Sequence, residues 1–187
     1  DQRANPPTLE FELHLALAQT AGPDFSTQRF DVESRRQFVY GCVARADHTF
    51  AKLTTAVATL PGDTRAMARE VLDGRRGILE RFRGAEHVAD GGACIRVHGD
   101  YHLGQVLRTE ADFVILDFEG EPARSLRERR ARHSPLKDVA GMVRSFHYAA
   151  HAALRASASG MPLDLPSLEP WAEAWQHWAS RAFLDGY

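Results

Sequence analysis

Lysine is scarce in this 187-residue chain: it stands only at positions 52 and 137, and the other basic residues are arginine. With 23 basic against 25 acidic side chains the formal charge is −2, which argues against the basic footprint of a nucleic-acid binder and against an acidic tail. Cysteine occurs only at Cys42 and Cys94, too few and too isolated for a disulfide framework or a zinc cluster. Their apolar neighbours read as those of reduced core thiols in a cytoplasmic protein. No apolar run nears the roughly eighteen residues of a membrane span, and no signal-peptide pattern is visible. Repeats and low-complexity tracts are absent too. The length suits one well-buried domain, and both ends, DQRANPPTLEF and AFLDGY, read as cut rather than finished.

What is present begins with helices. Thr8 to Thr20 carries Leu9, Leu13 and Leu17 at four-residue spacing, ended by Gly22-Pro23. Asp31 caps a predicted long helix reaching Leu60, with Phe38, Cys42, Phe50, Leu53 and Val57 as its buried stripe. After Pro61-Gly62-Asp63 a third helix runs to about Phe82, its apolar side being Met67, Val71, Leu72, Leu79 and Phe82; Gly74 and Gly77 weaken it.

The pattern changes at Gly91-Gly92. A short apolar run, Ala93 to Val97, leads into the loop His98 to Gly104. Gln105–Thr109 and Phe113–Phe118 read as a β-hairpin over a three-residue loop, Glu110-Ala111-Asp112. That register pairs Leu107 with Ile115 and sets Gln105 and Asp117 on one face. Ser134-Pro135 opens another helix with stripe Leu136, Val139, Val143, Phe146 and Ala150. Pro162 to Pro170 reads as a loop. The last helix spaces Trp171, Trp175, Trp178 and Ala182 so as to place them in a core.

If the hairpin holds, Asp100, Gln105 and Asp117 converge. Phosphoryl transfer needs such a set: one Asp takes a hydroxyl proton while hard oxygen ligands hold Mg²⁺ on a triphosphate. Singly, each has a plainer reading, since Asp and Gly are common turn residues and a Gln at a loop exit is often just solvated.

Taken in order, HGDYHLGQVL, FVILDFEGEPAR and SPLKDVAGMVRSFHYAA resemble the maltokinases, including the maltokinase segment fused to trehalose synthases. More broadly they are similar to the aminoglycoside-phosphotransferase-like kinases. The resemblance implies a mostly helical α+β fold over residues 1–187, the larger C-terminal lobe of a protein-kinase-like fold with a short catalytic hairpin. It implies ATP and Mg²⁺, and transfer of the γ-phosphoryl group to maltose or a similar sugar. Asp100 becomes the catalytic base, and Gln105 and Asp117 the Mg²⁺ ligands. Glu119, where protein kinases carry Gly, would meet the metal or the sugar. His98 would brace the loop, and Asp138 would hydrogen-bond it from the following helix. No glycine-rich nucleotide loop or strand lysine is identified, so a nucleotide-binding lobe is missing and the 187 residues alone are expected to be inactive. A fused or associated trehalose synthase is the partner that the resemblance implies, with neither nucleic acid nor membrane.

Three other readings compete. His98, Asp100 and His102 alternate as ligands of a metal-dependent hydrolase would, and His147 and His151 have zinc-pair spacing, but HYAAH lacks the Glu base. Arg124, Arg127, Arg129, Arg130 and Arg132 form a basic segment without interleaved aromatics. The chain could also be a non-catalytic interaction domain on a kinase-like fold.

Overall fold

The structure, a computed structural model, describes residues 8–110, 112–158 and 165–187. Helices dominate. They are α1 (Leu9–Gln19), α2 (Val32–Ala56), α3 (Gly62–Asp73), α4 (Arg75–Gly84), α5 (Leu126–Arg130), α6 (Leu136–Ala158) and α7 (Leu165–Gly186). Extended segments are short: β1 (Gln28–Arg29), β2 (Ala93–Cys94), β3 (Val106–Arg108) and β4 (Phe113–Ile115). The chain divides into two compact units, residues 29–92 and residues 1–28 with 93–187.

In the unit formed by residues 29–92, Asp31 caps α2 by accepting the Ser34 amide at 2.8 Å. That bond holds its carboxyl below the ordinary carboxylate range. The helix ends at Ala56 and tightens into a 3₁₀ turn over Val57–Thr59, short of the expected Leu60. Its buried residues are Arg35, Val39 and Phe50, whereas Phe38 is half exposed. The expected third helix is two, broken at Gly74, where the residue that weakens a helix most cheaply becomes a junction. Ala68 and Leu79 are buried, while Met67 and Val71 face out.

The other unit holds the loop and hairpin. Ile95 and His133 exchange backbone hydrogen bonds at 2.9 and 3.0 Å, tying the run before the loop to the segment before α6. Cys94, Ile95, Val97 and Tyr101 are buried with Val139, Met142 and Ala150 of α6. Each large apolar side chain so buried contributes about 1.5–3 kcal/mol before entropy is counted. Leu136, expected in the stripe, is exposed in the first turn. Phe146 of α6 packs edge-on against Phe183 and Trp175 of α7.

Several expectations are corrected here. In α1 the buried residues are Glu10 and His14 rather than the leucine stripe, and Leu15 is exposed. Helix α7 starts at Leu165 and takes in Pro166 and Pro170, so 165–170 of the expected loop are helical, and 162–164 lie outside the described residues. Pro166 falls in the first turn, where no amide is needed, and Pro170 forgoes one bond in the second. The tryptophans are not core: Trp171 and Trp178 are 74% exposed and Trp175 50%. Their spacing gives one face, and apart from the edge of Trp175 against Phe146 that face is largely exposed among the described residues.

The hairpin register is one residue off the expected one. Val106 pairs with Ile115, Leu107 with Val114 and Arg108 with Phe113. Thr109 and Asp112 close a tighter turn than the expected three-residue loop. The Thr109 amide and hydroxyl both donate to the Asp112 carbonyl at 2.8 Å, and the Asp112 amide donates to the Thr109 hydroxyl at 3.0 Å.

Candidate active site

A one-residue slip ought to send Asp117 to the face opposite Gln105. It does not. Gln105 ends a 3₁₀ turn, Leu103–Gln105, just before β3, and Asp117 lies two residues past β4 at φ +59°, the left-handed region. That conformation is rare for a non-glycine residue and re-aims the side chain. Gln105 Nε2 consequently donates to Asp117 Oδ2 at 3.1 Å. The Gln105 amide presents its N–H to the carboxylate; turned over, it presents oxygen. This pair of hard oxygen donors fits Mg²⁺, which takes few protein ligands and keeps its waters.

The loop carrying Asp100 is fixed from three sides. His98, 2% exposed, lies against Tyr101 and Phe118, with ring centroids 5.5 and 5.0 Å away. Its Nε2 donates to the Leu116 carbonyl at 2.7 Å and its Nδ1 accepts the Asp100 amide at 3.4 Å. Both ring nitrogens are thus engaged, which removes His98 from any metal-ligand set. Asp138, 1% exposed at the start of α6, accepts the His98 amide at 2.7 Å and the Gly99 amide at 2.9 Å. Ser145 of α6 accepts the Leu103 amide at 3.1 Å, and His102 Nδ1 accepts the Gly104 amide at 3.0 Å. Asp100 itself is half-buried.

Glycines let the two loops touch. Gly99 has φ +89° and Gly120, after Glu119, has φ +75°. A methyl group built on Gly99 would lie 3.6 Å from Gly120 Cα and 3.7 Å from Lys137 Nζ. Lys137, which the sequence reading gave no role, therefore stands beside the Asp100 loop; its place next to Asp138 was the available signal. The Glu119 carbonyl accepts from Arg129 at 3.3 Å, and Glu119 is exposed.

Behind Asp138 lies a cluster that the sequence reading missed. His14 Nε2 is 3.2 Å from Asp138 Oδ2, and His14 Nδ1 is 3.0 Å from the Tyr187 hydroxyl. Glu10, one turn before His14, is fully buried, and among the described residues neither carboxyl oxygen has a hydrogen-bond partner. Burial, then the nearby Asp138 charge, pushes its pKa up to about 8. The tyrosines move the same way: burial, then Glu10 and Asp138, raises both Tyr101 and Tyr187. The signal available in sequence was a Glu and a His four apart inside a leucine-rich helix.

The remaining candidates separate from this site. His147 and His151 stack at 4.5 Å on α6, and among the described residues no group of three or more His, Cys, Asp or Glu could hold a metal ion. Three arginines of the basic segment have protein partners. Arg124 bridges to Glu121 at 2.8 Å, Arg129 meets the Glu119 carbonyl, and Arg132 donates to Ser26 and Pro23. A groove of about 490 Å³ between α6 and α7, lined by Ala149, Ala153, Leu154, Trp171 and Trp175 among others, is apolar and carries no part of this chemistry. Among the described residues no helix is long and apolar enough to cross a membrane.

Comparison with known proteins follows the same line. No family model matches. The chain is 31% identical over 137 residues to a glucosamine kinase of Streptacidiphilus jiangxiensis, covering 73% of this chain and 28% of that protein. It is 33% identical over 139 residues to a glucosamine kinase of Mycolicibacterium smegmatis, covering 74% and 31%. Among solved structures it resembles a glucosamine kinase in complex with glucosamine, ADP and inorganic phosphate, with TM-score 0.69, 27% identity, and 96% of this chain against 39% of that one covered. A second solved structure, crystal form A of a glucosamine kinase, gives TM-score 0.68 at 27% identity, with 96% of this chain and 38% of that one covered. The chain thus spans under a third of the length of these curated relatives. Its fold is that of a mostly helical α+β lobe of a kinase-like protein.

Proposed function

We propose that residues 1–187 are the helical lobe of an ATP- and Mg²⁺-dependent sugar kinase. The observation that carries this reading is the 3.1 Å contact between Gln105 and Asp117, two side chains suited to a hard cation at the exit of the hairpin. In the reaction, the γ-phosphoryl group passes from ATP to a sugar oxygen with ADP as the leaving group, and Asp100 takes the proton that the sugar hydroxyl gives up. Gln105 and Asp117 would hold Mg²⁺, which neutralises phosphate charge when bound; Glu119 is a further candidate for the ion or the sugar. Asp138 holds the loop amides and so the base. His98 links the base's backbone to the strand that precedes Asp117.

The relatives named glucosamine kinase support a sugar acceptor, glucosamine first. The motif resemblance supports maltose, and with it a fused or associated trehalose synthase. With ATP as donor, the cytoplasm is the expected compartment. The nucleotide half of the site is not supplied by the described residues: Lys52 lies in α2, and Lys137 opens α6. We place those contacts in the part of the relatives' length that this chain does not span.

The test is ADP release by the full gene product with Mg-ATP against glucosamine, maltose and other hexoses and disaccharides. Turnover with glucosamine supports the first acceptor, and turnover with maltose alone supports the second. No turnover with any sugar, while the fold is intact, overturns the kinase reading in favour of an interaction domain.

A further inference from the structure

We propose that His14 of α1 is a positioning residue for the Asp100 loop, acting through Asp138, with Tyr187 fixing the imidazole. The inference rests on the kinase reading for its catalytic consequence, but not for its geometry.

The chain of contacts is continuous. Asp138 has two carboxyl oxygens and three partners: the Gly99 amide on Oδ1, and the His98 amide and His14 Nε2 on Oδ2. A carboxylate only accepts, so Nε2 is the donor; Nδ1, on the other side of the ring, lies 3.0 Å from the Tyr187 hydroxyl. The Tyr187 ring also packs edge-on against Phe11 and His14, 5.9 and 5.8 Å between centroids. His14 is 4% exposed and Asp138 1%, so water does not replace these bonds. Without His14, Asp138 keeps its two amide bonds but loses the one contact that fixes its carboxylate from outside the loop. The loop then gains freedom at its anchor, and Asp100 follows only two residues after His98.

Glu10 sets a condition on this arrangement. The titratable groups around it are His14 on its own helix, Tyr101 in the loop, Asp138 on α6 and Tyr187 on α7. Three of the four are acids, and among the described residues Glu10 has no hydrogen-bond partner, so a charge there is opposed by both burial and Asp138. Neutral, it is tolerated; ionised, it repels the carboxylate that holds the loop.

The test has two readouts. Amide hydrogen exchange at His98 and Gly99 in the 187-residue chain reports the anchor without any turnover. In the full gene product, kcat and KM report the consequence. His14→Ala is expected to lose protection at those two amides while the α6 amides keep theirs. It should lower kcat about 10- to 100-fold, the range seen when an outer positioning partner is removed, with KM values little changed. His14→Gln, whose amide can donate as Nε2 does, should recover most of both. Tyr187→Phe, which removes one oxygen and leaves the ring, should show a milder form of the same loss and covers the case in which His14→Ala does not fold. In the wild type the two amides should lose protection above pH about 8, after correction for intrinsic exchange, and Glu10→Gln should abolish that loss. Unchanged protection and kcat in both His14→Ala and Tyr187→Phe would overturn the proposal while leaving an active wild type a kinase. Lost protection in a protein that phosphorylates no sugar would keep the positioning role and reject the kinase reading instead.

Discussion

A methyl group at Gly141 would stand 2.5 Å from the carbonyl oxygen of Tyr101. Helix α6 therefore meets the Asp100 loop backbone to backbone, and a fixed carbonyl, unlike a side chain, cannot rotate away. Gly141→Ala should gain up to about 1 kcal/mol of helix propensity and lose roughly 1–3 kcal/mol to overpacking. The expected net outcome is a lower urea midpoint at unchanged m-value. A stabilised variant would show that the helix can slide off the loop.

The proposed base and metal ligands should separate kinetically. In the full gene product, Asp100→Asn should lower kcat about 10²–10⁴-fold, the usual contribution of a positioned base. Asp117→Ala should abolish Mg²⁺-dependent turnover. Residues 1–187 alone should show negligible turnover with any sugar, measured by coupled ADP release. Wild-type kcat in Asp100→Asn would remove that residue from the chemistry.

Stability should fall as pH rises, because of Glu10. Its carboxyl moves from the ordinary 4.5 to about 8 on folding. Between those values the folded chain keeps a proton that the unfolded chain has released, so unfolding becomes easier with each step up in pH. The stabilising contribution is complete below about 4.5 and lost through about 8. The largest slope from one such group is about 1.4 kcal/mol per pH unit. Glu10→Gln should flatten the profile in that window when urea unfolding is followed at several pH values. An identical slope in the variant would assign the dependence to other groups.

The tryptophan face offers an optical check. With Trp171 and Trp178 74% exposed, fluorescence of the 187-residue chain should be red-shifted and readily quenched by iodide. Blue, protected emission would mean that this face is covered in solution.

Much of this fold was legible in sequence, for reasons visible at particular residues. Asp31 and Ser134-Pro135 are local start signals, and local signals survive folding. The order of Asp100, Gln105, Asp117 and Asp138 was readable from motif order. What failed was burial. The α1 pattern pointed to Leu9, Leu13 and Leu17, yet tertiary packing placed Glu10 and His14 inside, against partners more than a hundred residues away. Trp171 and Trp178 show the converse, apolar periodicity on a largely exposed face. The hairpin register missed by one because Thr109 and Asp112 bond through a side chain as well as the backbone, a detail that strand propensity does not encode. The left-handed Asp117 then returned the side chain to the place that the wrong register had assigned it.

The single imidazole of His98 bears on how such a lobe could diverge. One ring joins the amide of Asp100 to the carbonyl of Leu116, so the spacing between the two acidic segments is set by a rigid five-membered ring. Both bonds run to backbone atoms, so neither depends on which side chains stand at 100 and 116. Side chains around that ring can therefore be exchanged while the spacing stays constant; on the proposed kinase reading, a change of sugar need not involve rebuilding the site.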